Sequence, residues 1–333
     1  MSVAPPRRAR FVLSILLALV VLALLYGLGE VDWREMLTTL ASISPLSFLG
    51  ALALHAGIYL ARAERFRVLM PPDERPGRAA LLAVTSAHNL AVYALPAKTG
   101  EATLPVYLNA VSGTRPAVAL ASLIVSRVLD LASLSALVAL ALAVLLARGA
   151  WSGPVWVAAA ASAGLALASL ACFALAMRPG RIVGLCELAA RTLGLARTRL
   201  GARLLERAGD LRVALVSAGA SRRLEAAALS FLVWILIFAF YVALARGFGL
   251  AANVSALEAS FGASLAVAMN LLPINSFAGL GTQEAGWVFG FGLVGVSADD
   301  AFATGVGAHL VQIFDTLLFG ALGHLAMALL RRK

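Results

Sequence analysis

Residues 94–105 read ALPAKTGEATLP, with Lys98 and Glu101 on either side of Gly100 and with Pro96 and Pro105 flanking them. Apolar runs enclose this stretch, 79–93 before it and 103–108 after it. Charge is costly in hydrocarbon and persists there mainly where protein buries it or a polar cavity receives it. A proline-bounded charged loop between two such arms reads as a deliberate break in a membrane segment, and that reading decides the fold.

The rest of the chain supports a membrane setting. It is 61% hydrophobic and 13% charged, with a mean hydropathy of +0.91, which excludes an ordinary soluble domain. The apolar residues come in runs of roughly 18 or more, the length of a spanning helix. No period-two alternation is sustained, so an outer-membrane barrel is not expected. The net charge of +10 is not a nucleic-acid signal, because the basic residues gather in the gaps between apolar runs. The two cysteines, Cys172 and Cys186, suggest neither a disulfide framework nor a metal site, and no cofactor is expected.

Positive charge sets the expected path. Arg7, Arg8 and Arg10 stand inside, and 11–29 is a retained first span rather than a cleaved signal. The segment 43–61 returns and delivers Arg62, Arg65, Arg67, Arg75 and Arg78 to the cytoplasm. Spans 117–147 and 154–177 follow, then a basic, partly amphipathic cytoplasmic segment at 178–225, then 226–245, an interrupted pair at 256–296, and 301–330. Arg78 and Arg115 both lie inside, so 79–113 must enter and leave on one side, as a helical hairpin that is re-entrant or fully spanning. The expectation is an all-α protein of the cytoplasmic membrane with both termini cytoplasmic. About six full spans and two broken hairpins make eight to ten membrane segments.

The two interruptions are related. Asn89 precedes LPAKTGEA (95–102) and Asn270 precedes LLPINSFAGLGTQEA (271–285). SRVLDLASL (126–134) follows the first and VQIFDTLLF (311–319) the second, so Arg127-x-x-Asp130 corresponds to Gln312-x-x-Asp315. Repeats over 43–147 and 226–330 would then enter the membrane from opposite sides, an arrangement typical of transporters.

The pattern N-x-x-x-x-x-L-P-x-K-x-G-E, then R-x-x-D, then P…G-x-G-x-x-E in the second half resembles the transmembrane domain of lysylphosphatidylglycerol synthases and the stand-alone flippase-like proteins related to it. The likeness runs from about residue 46 to 330. It implies a single polytopic domain that translocates or handles a lipid, here without the soluble lysyl-transferase domain. Two departures bear on headgroup choice: Lys98 stands where arginine is expected, and Gln283 where a basic residue is common.

Candidate residues follow from charge. Lys98, Thr99 and Gly100 at a half-helix start, with Arg127, Asn275 and Gln283, are candidates for binding a phosphate headgroup. The bland alternatives are a Lys98–Glu101 pair and an Arg127–Asp130 pair that only fixes helix register. Glu101, Asp130, Glu284, His309, Gln312 and Asp315 are candidates for coupling or gating. Thr282 reads as an ordinary N-cap, and His55 and His324 as hydrogen-bonded core. The expected partner is an anionic phospholipid or a polyprenyl-phosphate-linked precursor, with a homo-oligomer or a separate synthase as possible protein partners. Three functions stay open: lipid transporter, membrane-embedded lipid-modifying enzyme, and non-transporting regulatory subunit. Without a metal cluster or a nucleophile elbow, an enzyme is the less expected of these.

Overall fold

The computed structural model describes residues 38, 41–149, 155–194, 198, 209–216, 220–250, 254–271, 279 and 281–330. The expected first span, 11–29, and the basic termini lie outside these residues. The chain divides into two compact units, Met1–Ser44 and Pro45–Lys333, and helices α1 to α10 all belong to the second.

A long helix, α1 (Pro45–Leu69), is followed by a short 3-10 turn and α2 (Arg78–Ala94). Pro96 forces Leu95 into an extended conformation (φ −93°, ψ 135°) and so ends α2. A 3-10 segment, Pro96–Ala102, then leads into α3 (Thr103–Ser112). Next come α4 (Pro116–Ala147), α5 (Val155–Met177) and the short amphipathic α6 (Gly180–Thr192). The second half runs α7 (Ala220–Gly247), α8 (Ala256–Leu271), α9 (Thr282–Gly292) and α10 (Ala298–Leu330). The order of long helix, two shorter helices, long helix therefore occurs twice, in α1–α4 and in α7–α10. Among the described residues, α1, α4, α5, α7 and α10 are long and apolar enough to cross a membrane.

One expected boundary was wrong in a way that matters. The segment expected to end at residue 61 continues as helix to Leu69, because Phe66, Val68 and Leu69 keep the turns beyond Arg62 and Arg65 apolar and buried. Arg65 is fully buried and does not lie in a cytoplasmic loop.

Contacts at the helix ends define two faces. At the first, Glu74 before α2 accepts hydrogen bonds from the Arg115 guanidinium and backbone N–H after α3. Arg75 and Arg222 both donate to the Met70 carbonyl. Val183 of α6, Ala226 of α7 and Met327 of α10 join the same apolar cluster. At the second face, Leu142 of α4, Ala158 of α5, Phe261 of α8 and Leu293 after α9 pack together. Both ends of the α2–α3 hairpin thus lie at the first face, and both ends of the α8–α9 hairpin at the second.

Between the faces, α1 lies against α7 and α10 against α2. The α8–α9 pair is closely packed: a Cβ on Gly290 would collide with the backbone of Gly262. Helix α5 buries only Ala158 and Ala176 and is held to α4 by Ser162 and Ser169, whose hydroxyls donate to the Ala139 and Ala132 carbonyls. Its outer face, including Leu167 and Leu170, is exposed apolar surface suited to lipid.

Candidate functional site

Inside this helical frame the polar residues gather in two clusters. The first surrounds the α2–α3 hairpin. Arg65 on α1 meets Asp130 on α4 through two guanidinium nitrogens, with Nη2 at 3.2 Å from Oδ2, and Nη1 also donates to Ser230 Oγ at 2.9 Å. Trp234 Nε1 donates to the same carboxylate at 3.2 Å. Arg127 reaches across this pair. Its Nη1 donates to Asp130 Oδ2 at 3.1 Å, and its Nη2 lies 2.8 Å from Glu101 Oε1. Arg62 donates to Asn89 Oδ1 at 3.0 Å, and among the described residues no carboxylate forms an ion pair with it.

Exposure divides the cluster. The Arg65 and Asp130 side chains are 0% and 7% exposed, whereas those of Arg127 and Glu101 are 34% and 27% exposed. Arg65–Asp130 is therefore a buried base, and Arg127–Glu101 faces open space above it. Such a bidentate pair is costly to break singly, by roughly 3–5 kcal/mol, because the partner is left as an uncompensated charge.

His88 completes the cluster. Thr103 Oγ1 donates to the Gly100 carbonyl at 2.8 Å, so it accepts from His88 Nδ1–H at 2.9 Å. That tautomer leaves Nε2 without a hydrogen, buried, unbonded and 3.7 Å from Glu101 Oε2. A proton shared between these two atoms would bridge them.

The second cluster joins the hairpins. His309 on α10 lies 2.5 Å through Nδ1 from Glu284 Oε1 on α9, and 2.6 Å through Nε2 from the Tyr93 hydroxyl on α2. A carboxylate only accepts, so Nδ1 carries the hydrogen, and with the ring neutral Tyr93 donates to Nε2. Glu284 Oε2 also accepts from the Gly281 N–H at 2.8 Å, which caps α9. Beside it, Gln283 Nε2 and Tyr241 O–H both donate to Gln312 Oε1, at 2.8 and 2.9 Å. Deeper still, His55 Nδ1 donates to Asp315 Oδ2 at 3.1 Å, leaving the buried Asp315 Oδ1 without a hydrogen-bond partner among the described residues.

Several expectations change. Asp130 answers first to Arg65, so the Arg127–Asp130 contact is only one part of a four-residue network. Gly100 does not open room for a ligand: a Cβ there would strike the Ala91 carbonyl of α2, so the glycine lets the 3-10 turn fold onto its own helix. Thr282 is the first residue of α9 rather than its N-cap, and its hydroxyl donates to the Gly279 carbonyl. Asp315 pairs with His55, a residue read as plain core, while Gln312 turns to Gln283 and Tyr241. The Lys98 side chain, the Asn270 side chain and all of Asn275 lie outside the described residues; Thr99 is exposed. Arg62 and Arg65 were missed as site residues, although apolar Phe66, Val68 and Leu69 beyond them signalled that the helix had not ended.

Residues 11–320 match the family model described as the lysylphosphatidylglycerol synthase TM region. No curated protein and no solved structure matches the chain.

Proposed function

The chain belongs to the lysylphosphatidylglycerol synthase transmembrane-region family, and from that premise we propose that it is a flippase that carries an anionic lipid headgroup between the leaflets of the cytoplasmic membrane. The observation that carries this reading is the surplus of guanidinium in the first cluster. Among the described residues, Arg62, Arg65 and Arg127 face two carboxylates there, Glu101 and Asp130, and Arg127 is open on one side. A site with excess positive charge and low dielectric favours a phosphate, which a guanidinium fork fits geometrically.

In this mechanism the headgroup phosphate takes Arg127 from Glu101 and gains Arg62. The freed Glu101 carboxylate then takes up one proton from water entering with the headgroup, which neutralises it beside His88 Nε2, 3.7 Å away, and offsets the lost ion pair. Tyr93, at the end of α2, passes the change through His309 to Glu284 on the opposed hairpin. Two hairpins opening from opposite faces suit alternating access around a central site. The face bearing Arg75, Arg115, Arg178 and Arg222 is the cytoplasmic one under the positive-inside rule, and the same rule applied to the basic ends of the sequence makes both termini cytoplasmic.

The test is transbilayer movement of labelled phosphatidylglycerol in liposomes, with product analysis in the same samples. Movement that falls in Arg127→Ala and Arg62→Ala, with the lipid chemically unchanged, is the expected result. A modified lipid product would support the enzyme reading instead. No movement by wild-type protein with any anionic lipid would leave the regulatory-subunit reading.

A further inference from the structure

Away from both hairpins, the end of α5, the start of α6, the helical stretch 209–216 and Arg223 of α7 border a broad, open surface hollow of about 950 Å³. Four arginines line it, Arg178, Arg181, Arg212 and Arg223, and none of them comes from α1 to α4. Among the described residues, Arg178, Arg181 and Arg212 are in no ion pair. The walls between them are apolar, with Leu175, Leu185, Leu188 and Val216. The volume falls within the range of pockets that hold small ligands.

We propose that this cavity is a second lipid site, which seats the phosphate headgroup of an anionic phospholipid of the cytoplasmic leaflet and lays its acyl chains against Leu185 and Leu188. The placement supplies the argument. Helix α5 presents an almost wholly exposed apolar surface down to Met177, and the chain turns at Pro179 into the amphipathic α6. Arg178 and Arg181 therefore sit where hydrocarbon gives way to headgroups, the depth at which arginine meets lipid phosphate. The guanidinium groups of Arg178, Arg181 and Arg212 beside an apolar hollow match the two halves of a phospholipid, charge above and chain below. A soluble phosphate would use the arginines and leave the apolar walls without a role. The site rests on the reading of this face as cytoplasmic, but not on whether the protein moves lipid.

The test uses the full chain in nanodiscs of phosphatidylcholine with a minority of phosphatidylglycerol, and spin-labelled analogues of each. Wild-type protein is expected to immobilise labelled phosphatidylglycerol in preference to phosphatidylcholine. The combined variant R178Q/R181Q/R212Q should lose about fivefold of that preference per arginine, the factor for roughly 1 kcal/mol per basic side chain near an anionic surface. Gly184→Leu, which fills the hollow beneath Arg212 and keeps every charge, should lower it as well. Undiminished preference in either variant overturns the proposal, as does a wild-type protein without preference. Release of the immobilised lipid label by millimolar inorganic phosphate would assign the arginines to a soluble anion and overturn it too. A protein that moves no lipid yet shows the arginine-dependent preference leaves this site standing while the transport reading falls.

Discussion

Tyr93 and Glu284, one from each hairpin, bind opposite ring nitrogens of a single histidine, His309. This joins the ends of α2 and α9 through one imidazole whose side chain is 1% exposed, so that a hydrogen bond lost at the ring is poorly replaced.

Removing that imidazole should therefore cost stability. His309→Ala leaves Glu284 without its ring partner and should destabilise by about 1–3 kcal/mol. Adding Glu284→Gln should recover part of the loss, since a neutral amide can still accept from the Gly281 N–H. Thermal unfolding of the single and double variants in detergent measures both. Equal melting of wild type and His309→Ala would remove the bridge from the account.

The Arg65–Asp130 base should behave as scaffold. Arg65→Leu is expected to lower stability by roughly 3–5 kcal/mol, and Arg65→Leu with Asp130→Leu should restore most of it. A double variant as unstable as the single would mean that Asp130 is needed by Arg127 and Trp234 rather than by Arg65. Unfolding midpoints decide between them.

Arg127 and Arg62 should show the opposite profile. Charge-assisted hydrogen bonds to a phosphate contribute about 1.5–3 kcal/mol each, so either alanine variant should slow lipid movement by about tenfold or more. Arg127→Ala should also show a milder loss of stability than Arg65→Leu, because its side chain is one-third exposed. Paired flipping and melting assays read the two effects separately.

Acid should act at the first face. The Arg115 guanidinium beside Glu74 holds that carboxyl below its ordinary value of 4.5. A depressed carboxyl stabilises the fold fully above its unfolded pKa, and the contribution is lost as pH falls through the lower folded one. Melting temperature should fall below about pH 4.5 in wild type, and the fall should be shallower in Glu74→Gln. Parallel acid limbs would show that the pair contributes nothing.

Gly100→Ala should disturb the hairpin without touching a charge. Its Cβ meets α2 backbone, which cannot rotate away, so a loss of about 1–3 kcal/mol is expected from overpacking. Melting of this variant alone checks it.

Much of this was legible before any fold. Hydrophobic run lengths mark α4, α5, α7 and α10 within a few residues, because a bilayer demands a minimum apolar length whatever packs beside it. The breaks at residues 96–102 and before α9 were legible as well, since proline, glycine and charge are each unfavourable inside a membrane helix. So were Glu101, Arg127, Asp130, Glu284 and Asp315, because charge in an apolar run is conspicuous. Their partners were not. Arg65 and Asp130 are separated by a hairpin, and His55 and Asp315 by almost the whole chain. Phe66, Val68 and Leu69 after Arg65, and Pro71 and Pro72 before Arg75, separate the two locally as helix and loop, but nothing local shows that Arg65 meets Asp130. Local patterns determine where a helix starts, stops and breaks, and so the long apolar helices, the breaks between the shorter ones and the carboxylates could be read from the residues alone. Which cation each carboxylate meets depends on α1 lying against α7 and α10 against α2. Long-range packing makes that choice, and it becomes visible in the folded chain.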